Sequence, residues 1–115
     1  MKAYTGEQGY VYQYYFVGKR SAMRRGADAP ATEYVFDVTS DRKTVFSVSV
    51  FLERSATTAW ASRHGRDLTE AEEYAAAKMR LFRGFDEIEN MMAEGRSLAV
   101  GAPVLEELLG PLGIP

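Results

Sequence analysis

Residues 69–95 read TEAEEYAAAKMRLFRGFDEIENMMAEG, and the fold turns on this stretch. At 3.6 residues per turn, Tyr74, Leu81, Phe85, Ile88 and Met92 fall within about 40° of one line along a helix axis, with Ala71 and Ala77 beside it. Glu72, Glu73, Arg80, Arg83, Glu87, Asn90 and Glu94 point to the opposite side, so one face packs while the other is solvated. The spacing predicts a single amphipathic helix from Glu70 to Glu94, roughly 37 Å long at 1.5 Å per residue, enough to lie across a sheet of ten-residue strands. Thr69 and Glu72 match a T-x-x-E capping box at its start, and Gly95 is placed to end it. Gly84 in the interior costs about 1 kcal/mol against alanine, so it needs a packing reason or marks a bend.

Upstream the periodicity changes from helical to alternating. In Glu33–Thr39, Tyr34, Phe36 and Val38 share a face opposite Glu33, Asp37 and Thr39; in Thr44–Glu53, Phe46, Val48, Val50 and Leu52 oppose Ser47, Ser49 and Glu53. Such alternation marks two strands with one buried and one wetter face, and Ser40 to Lys43 supply a polar hairpin connection. Between hairpin and long helix, the alanines of residues 54–65 favour a short helix from Ser55 to His64, stopped at Gly65.

Tyr10 to Val17, YVYQYYFV, is a further strand candidate, rich in aromatic and β-branched residues. Tyr10, Tyr12, Tyr14 and Phe16 lie on one side, yet Val11, Tyr15 and Val17 lie on the other, interrupted only by Gln13. A strand apolar on both sides is expected to be covered on both, by the helix on one and by something else on the other. Gly18 to Ala31 carries two glycines, a proline and little periodicity, and reads as a loop holding Lys19, Arg20, Arg24 and Arg25. Downstream, Pro103 and Gly110 bracket a short helix, Pro103 to Leu109, that brings Leu105, Leu108 and Leu109 to one side.

A length of 115 residues fits one α+β domain: an antiparallel sheet of three to four strands, the long helix across one face, and one or two short helices. Apolar residues make up 46% and charged residues 26%, so the chain is expected to fold. The absence of a secretory-type N-terminus or a long apolar run points to a cytoplasmic protein. The net charge of −2 is unevenly spread: residues 1–66 carry ten Lys/Arg against six Asp/Glu, and residues 67–115 four against ten. That asymmetry suits an acidic partner, a head-to-tail pair, or simply a polar helix beside a basic loop.

Chemistry is thinly marked. Without cysteine there is no thiolate nucleophile, disulfide or cysteine metal site, and the one histidine, His64, forms no histidine cluster. Its position at a predicted helix end suits a dipole contact better than catalysis. Asp37, Asp41 and Glu53 are the acidic residues that a hairpin end gathers, but solvation of a polar face explains them. No catalytic residue, metal ligand or cofactor is assigned.

Two binding readings follow. In the first, the chain is a non-catalytic protein–protein interaction module that self-associates as a homodimer through Val11, Tyr15, Val17, Leu105, Leu108 and Leu109. In the second, Tyr12, Tyr14 and Phe16 stack the bases of single-stranded nucleic acid while Lys19, Arg20, Arg24 and Arg25 hold its phosphates. A hairpin over Tyr34 to Val50 followed by a long helix is loosely similar in order to the PUR and Whirly single-strand-binding domains, without a motif diagnostic of either. Against the second reading stands a sequence pI of about 5.4, low for a nucleic-acid binder.

Overall fold

The computed structural model describes residues 1–7, 9–24 and 29–114. Five strands form one sheet in sequence order: β1 (Lys2–Thr5), β2 (Val11–Arg24), β3 (Ala29–Thr39), β4 (Phe46–Glu53) and β5 (Ser97–Val100). The first four pair antiparallel and β5 joins β4 in parallel. A parallel partner needs a crossover, supplied here by α1 (Arg54–His64), α2 (Glu70–Glu87) and α3 (Met91–Glu94). Helix α4 (Ala102–Leu109) and a 3-10 turn, Gly110–Leu112, complete the described chain. The fold is thus α+β as expected, but with five strands rather than three to four, and the sheet is only mostly antiparallel.

The long helix is shorter than its sequence pattern. The capping box forms as predicted, with the Glu72 amide donating to Thr69 Oγ1 (3.1 Å) and the Thr69 amide to Glu72 Oε1 (2.9 Å). The helix nevertheless ends at Glu87, because Ile88 turns extended and Asn90 starts a fresh turn by accepting the Ala93 amide at 3.2 Å. Met91, not Met92, is consequently the buried methionine, and Met92 is exposed. Gly84 has a packing reason: a Cβ there would stand 3.1 Å from Leu98 Cδ1, so β5 approaches α2 at this point.

Two further differences concern the sheet. Residues 18–24 and 29–31, expected as loop, extend β2 and β3 into a longer hairpin through pairs such as Ser21 with Thr32 and Met23 with Pro30. A register shift between Phe16 and Gly18 sets Val17 out as a bulge and reverses which residues face inward. The short strands β1 and β5, four residues each, carry too few residues for alternation to announce them.

The core lies between one sheet face and the helices. Tyr12 stacks on Phe85 (4.2 Å between ring centres), Tyr4 on Phe82 (4.2 Å), and Phe16 meets Tyr74 edge-on (4.9 Å), so α2 is fastened to β1 and β2 by aromatic pairs. Leu105, Leu108 and Leu109 of α4 are buried in the same core. They do not form a surface, and the expectation that they join two copies is corrected on that ground.

Candidate interaction surface

Strand β2 has two faces with opposite fates. Tyr12 and Tyr14 turn inward and are buried, and Phe16 is half-buried beneath Tyr74. Val11, Tyr15 and Val17 turn outward and remain 49%, 59% and 54% exposed. Among the described residues nothing of this chain lies over them. The expected second cover is therefore not supplied by the described residues.

The outward face continues onto its neighbours. The register sets Gly18 beside Val35, which lies beside Ser49, and Glu33 beside Phe51. Val35 and Phe51 are half-buried. Gly18 leaves a shallow hollow of about 310 Å³ bounded by Val17, Lys19, Arg20 and Val35. Its backbone is not in the left-handed region, and no atom lies within 4 Å of where its Cβ would stand. The glycine thus opens space above the sheet rather than relieving a turn.

Of the carboxylates on this face, Asp37 is paired beside Tyr15 and Glu33 is internally neutralised. Glu33 is only 7% exposed. Its carboxylate accepts from Arg20 Nε at 2.7 Å and from Ser49 Oγ at 2.6 Å, bonds that span all three central strands. The hydrogen bond from Arg20 holds the Glu33 carboxyl below the usual carboxylate range, against the upward pull of burial. A carboxylate already satisfied by donors on both sides is far less costly to cover than a bare one.

Past Tyr14, β2 has no neighbouring strand on its outer side among the described residues, because β1 pairs only with residues 11–14. Edge strands with unpaired backbone invite uncontrolled pairing, and natural proteins blunt them with bulges and charges. The bulge at Val17 and the cations Lys19 and Arg20 fall on this open stretch.

The residues predicted to bind nucleic acid are not brought together as a binding face. Tyr12 and Tyr14 contribute their rings to the core, so they present none to a base. Lys19 Nζ lies 3.8 Å from Glu70 and Arg20 is engaged by Glu33. Arg25 and the side chain of Arg24 lie outside the described residues. A larger open groove of about 950 Å³ runs beneath the hairpin, lined by Lys19, Arg20 and Arg54 but also by Glu70 and Glu73. Arg54 is held there by Glu73 through two contacts of 3.1 Å and donates to Thr32.

The remaining candidates have structural partners. His64 stacks on Trp60 (4.1 Å) and shares a hydrogen bond with Glu106 (2.9 Å), tying α1 to α4. Asp41 accepts from the amides of Lys43 and Thr44, each at 2.8 Å, and these bonds hold its carboxyl below the usual range and shape the β3–β4 turn. Among the described residues no three His, Asp or Glu side chains gather as a metal-holding group. No helix among them is long and apolar enough to cross a membrane.

Sequence reasoning found Val11, Tyr15 and Val17 but not Gly18, Val35 or Phe51. Phe51 was readable as the apolar exception on the polar face of its strand; Gly18 was hidden by the break in alternation at the bulge. No protein-family model, curated protein or solved structure matches this chain.

Proposed function

We propose that the protein is a non-catalytic interaction module that self-associates, two copies joining through the helix-free face of the sheet. One observation carries this reading. Of the nine large apolar residues exposed among the described residues, Val11, Tyr15 and Val17 lie on one face of one strand, interrupted by Gln13. Singly scattered exposed apolar residues are ordinary, whereas several gathered on one strand face suit a surface that another molecule covers. A second copy supplies such a cover most simply, since it is present at the same concentration and a two-fold axis makes one patch serve both sides. A standard interface takes about 800 Å² from each partner. That is roughly an eighth of the 6570 Å² surface of this chain, within reach of one face of a five-stranded sheet.

The test is native mass by light scattering at two concentrations. The wild type is expected at twice the 12.8 kDa of one chain, and a Tyr15→Glu, Val17→Glu variant at the single mass. A wild type that stays monomeric at the higher concentration would refute the proposal. Addition of a mixed single-stranded oligonucleotide in low salt is expected to leave the mass unchanged; uptake would move function to Lys19, Arg20 and the groove beneath them.

A further inference from the structure

We infer that Arg80 locks the outer edge of β5, holding the backbone acceptor that another strand would need and so ending the sheet at five strands. The inference concerns an edge of the sheet rather than its helix-free face, and it stands whether or not two copies join through that face.

The edge follows from the ladder. Strand β5 is an end strand and pairs only with β4. Arg96 O accepts the Ser49 amide at 2.9 Å, and in an evenly spaced parallel ladder the residues that bond the neighbour alternate. Leu98 and Val100 therefore continue the bonds to β4, while the backbone groups of Ser97 and Ala99 point outward. The strand, Ser-Leu-Ala-Val, holds neither charge nor proline, two of the devices by which natural edges refuse another strand. Two such edges suit each other. Laid antiparallel about a two-fold axis through Leu98, Ser97 of each copy stands opposite Ala99 of the other and donates its amide to the Ala99 oxygen.

Arg80 takes that oxygen. Its Nε donates to Ala99 O at 3.1 Å, so the guanidinium stands where an incoming amide would sit. The helix puts it there: Gly84, which lets α2 close on Leu98, lies one turn further along the same side. Core packing does not account for the choice of arginine. The side chain is half-buried, and Nη1 is shut off from solvent with no hydrogen-bond partner among the described residues. Burial pulls its pKa below the ordinary value, and of the charges that act on it Glu87 favours the cation while Arg83 opposes it. A methionine of similar length fills the same space without an unmet donor, and leaves the Ala99 oxygen open.

The experiment is sedimentation equilibrium over a range of concentrations on wild type, Arg80→Met, Arg83→Met and the double variant Arg80→Met, Ser97→Pro, with thermal melts on each. Arg80→Met is expected to melt no lower than wild type, and its mass to rise with concentration toward about twice the wild-type value as edges pair. Arg83→Met removes a cation from the same helix and adds the same apolar side chain, and is expected to keep the wild-type mass. Proline at position 97 removes the outward donor at the first residue of an edge strand, where the bonds to β4 do not use it; adding Ser97→Pro is expected to restore the wild-type mass. Should Arg80→Met fail to fold, Arg80→Ala carries the same comparison. A position-80 variant that keeps the wild-type mass throughout overturns the lock, as does a larger species that Ser97→Pro leaves in place or that Arg83→Met forms equally. Every mass is read against wild type, so a monomeric wild type refutes self-association through the sheet face and leaves the lock to be decided by its own variants.

Discussion

Gly84 offers the sharpest test of how α2 meets the sheet, because two effects of similar size oppose each other there. Replacing glycine with alanine inside a helix stabilises it by about 1 kcal/mol. The new Cβ, however, would stand 3.1 Å from Leu98 Cδ1 and 3.6 Å from both Sδ and Cε of Met91. Leu98 and Met91 are 4% and 2% exposed, so neither has open space to move into. A leucine pushed off its rotamer costs about 0.5–1.5 kcal/mol, which nearly cancels the helix gain. Gly84→Ala is thus expected within about 0.5 kcal/mol of wild type. Gly84→Val adds two further carbons to the same gap, and overpacking of this kind costs about 1–3 kcal/mol. At roughly 4 °C per kcal/mol for a domain of this size, Gly84→Val should melt roughly 4–12 °C below wild type. Truncating the neighbour supplies the decisive arm: in a Leu98→Ala background the cost of Gly84→Val should fall by at least about 0.5 kcal/mol. The assay is chemical denaturation with matched slopes, supported by thermal melts. If Gly84→Val costs nothing, or costs the same whether Leu98 is present or truncated, then α2 does not cross β5 at this glycine and the described packing is wrong.

Two further expectations concern titration. Paired contacts from Arg66 (2.8 and 2.9 Å), and after them the Thr69 amide, draw the Glu72 carboxyl from its ordinary 4.5 down to about 2. A lowered folded value adds stability above pH 4.5 that is lost as pH falls toward 2; the melting gap between wild type and Glu72→Gln should hold from pH 7 to 5 and close by pH 2, and a gap unchanged at pH 2 would show that the ion pair is not its source. Tyr34 is fully buried, its hydroxyl has no hydrogen-bond partner among the described residues, and burial first, then the Glu73 charge, pushes it up to about 12. Removing an unmet buried hydroxyl gains about 1 kcal/mol, so Tyr34→Phe should melt higher at pH 7. It should also lose less stability between pH 10 and 12, where a raised folded value makes ionisation of the unfolded chain favourable. A loss above 1 kcal/mol at pH 7 would mean that the hydroxyl is bonded.

The parts of the fold that were legible are those in which a local rule and the tertiary environment agree. The Thr69–Glu72 box, the stop at Gly65, the alternation of Tyr34, Phe36 and Val38, and the Pro103–Gly110 brackets all satisfy backbone groups or bury a face using residues close in sequence. The end of α2 was not legible, because Ile88 and Met92 continue the helical spacing while the competing signal is a single Asn90 that caps a new turn. Strands β1 and β5 were invisible for a different reason. Four residues hold two periods of alternation at most, and Leu98 with Val100 becomes a strand only when β4 offers its far edge. The candidate site was half legible, in that alternation separated Tyr12, Tyr14 and Phe16 from Val11, Tyr15 and Val17 without saying which set the helix covers.

That last ambiguity bears on function, because a strand apolar on both sides answers two separate demands. The inward set is dictated by α2: Tyr12 matches Phe85, and Phe16 matches Tyr74. Their aromatic character therefore reports on core packing and carries no information about a ligand. The outward set is under no such demand, since a soluble sheet face needs only polar residues there. Valine, tyrosine and valine at 11, 15 and 17 are therefore not set by core packing, although each favours an extended strand. The bulge at Val17 sharpens the contrast. Before it the even-numbered residues face inward; after it the odd-numbered ones do, so Lys19 lies over Tyr34 (5.9 Å to the ring centre) while Arg20 turns outward to Glu33. The phase change ends the apolar row at Val17 and places Gly18 and a neutralised ion pair directly after it. The apolar run therefore ends where the backbone changes phase, with Asp37 paired beside Tyr15 and the doubly bonded Glu33 paired beside Arg20.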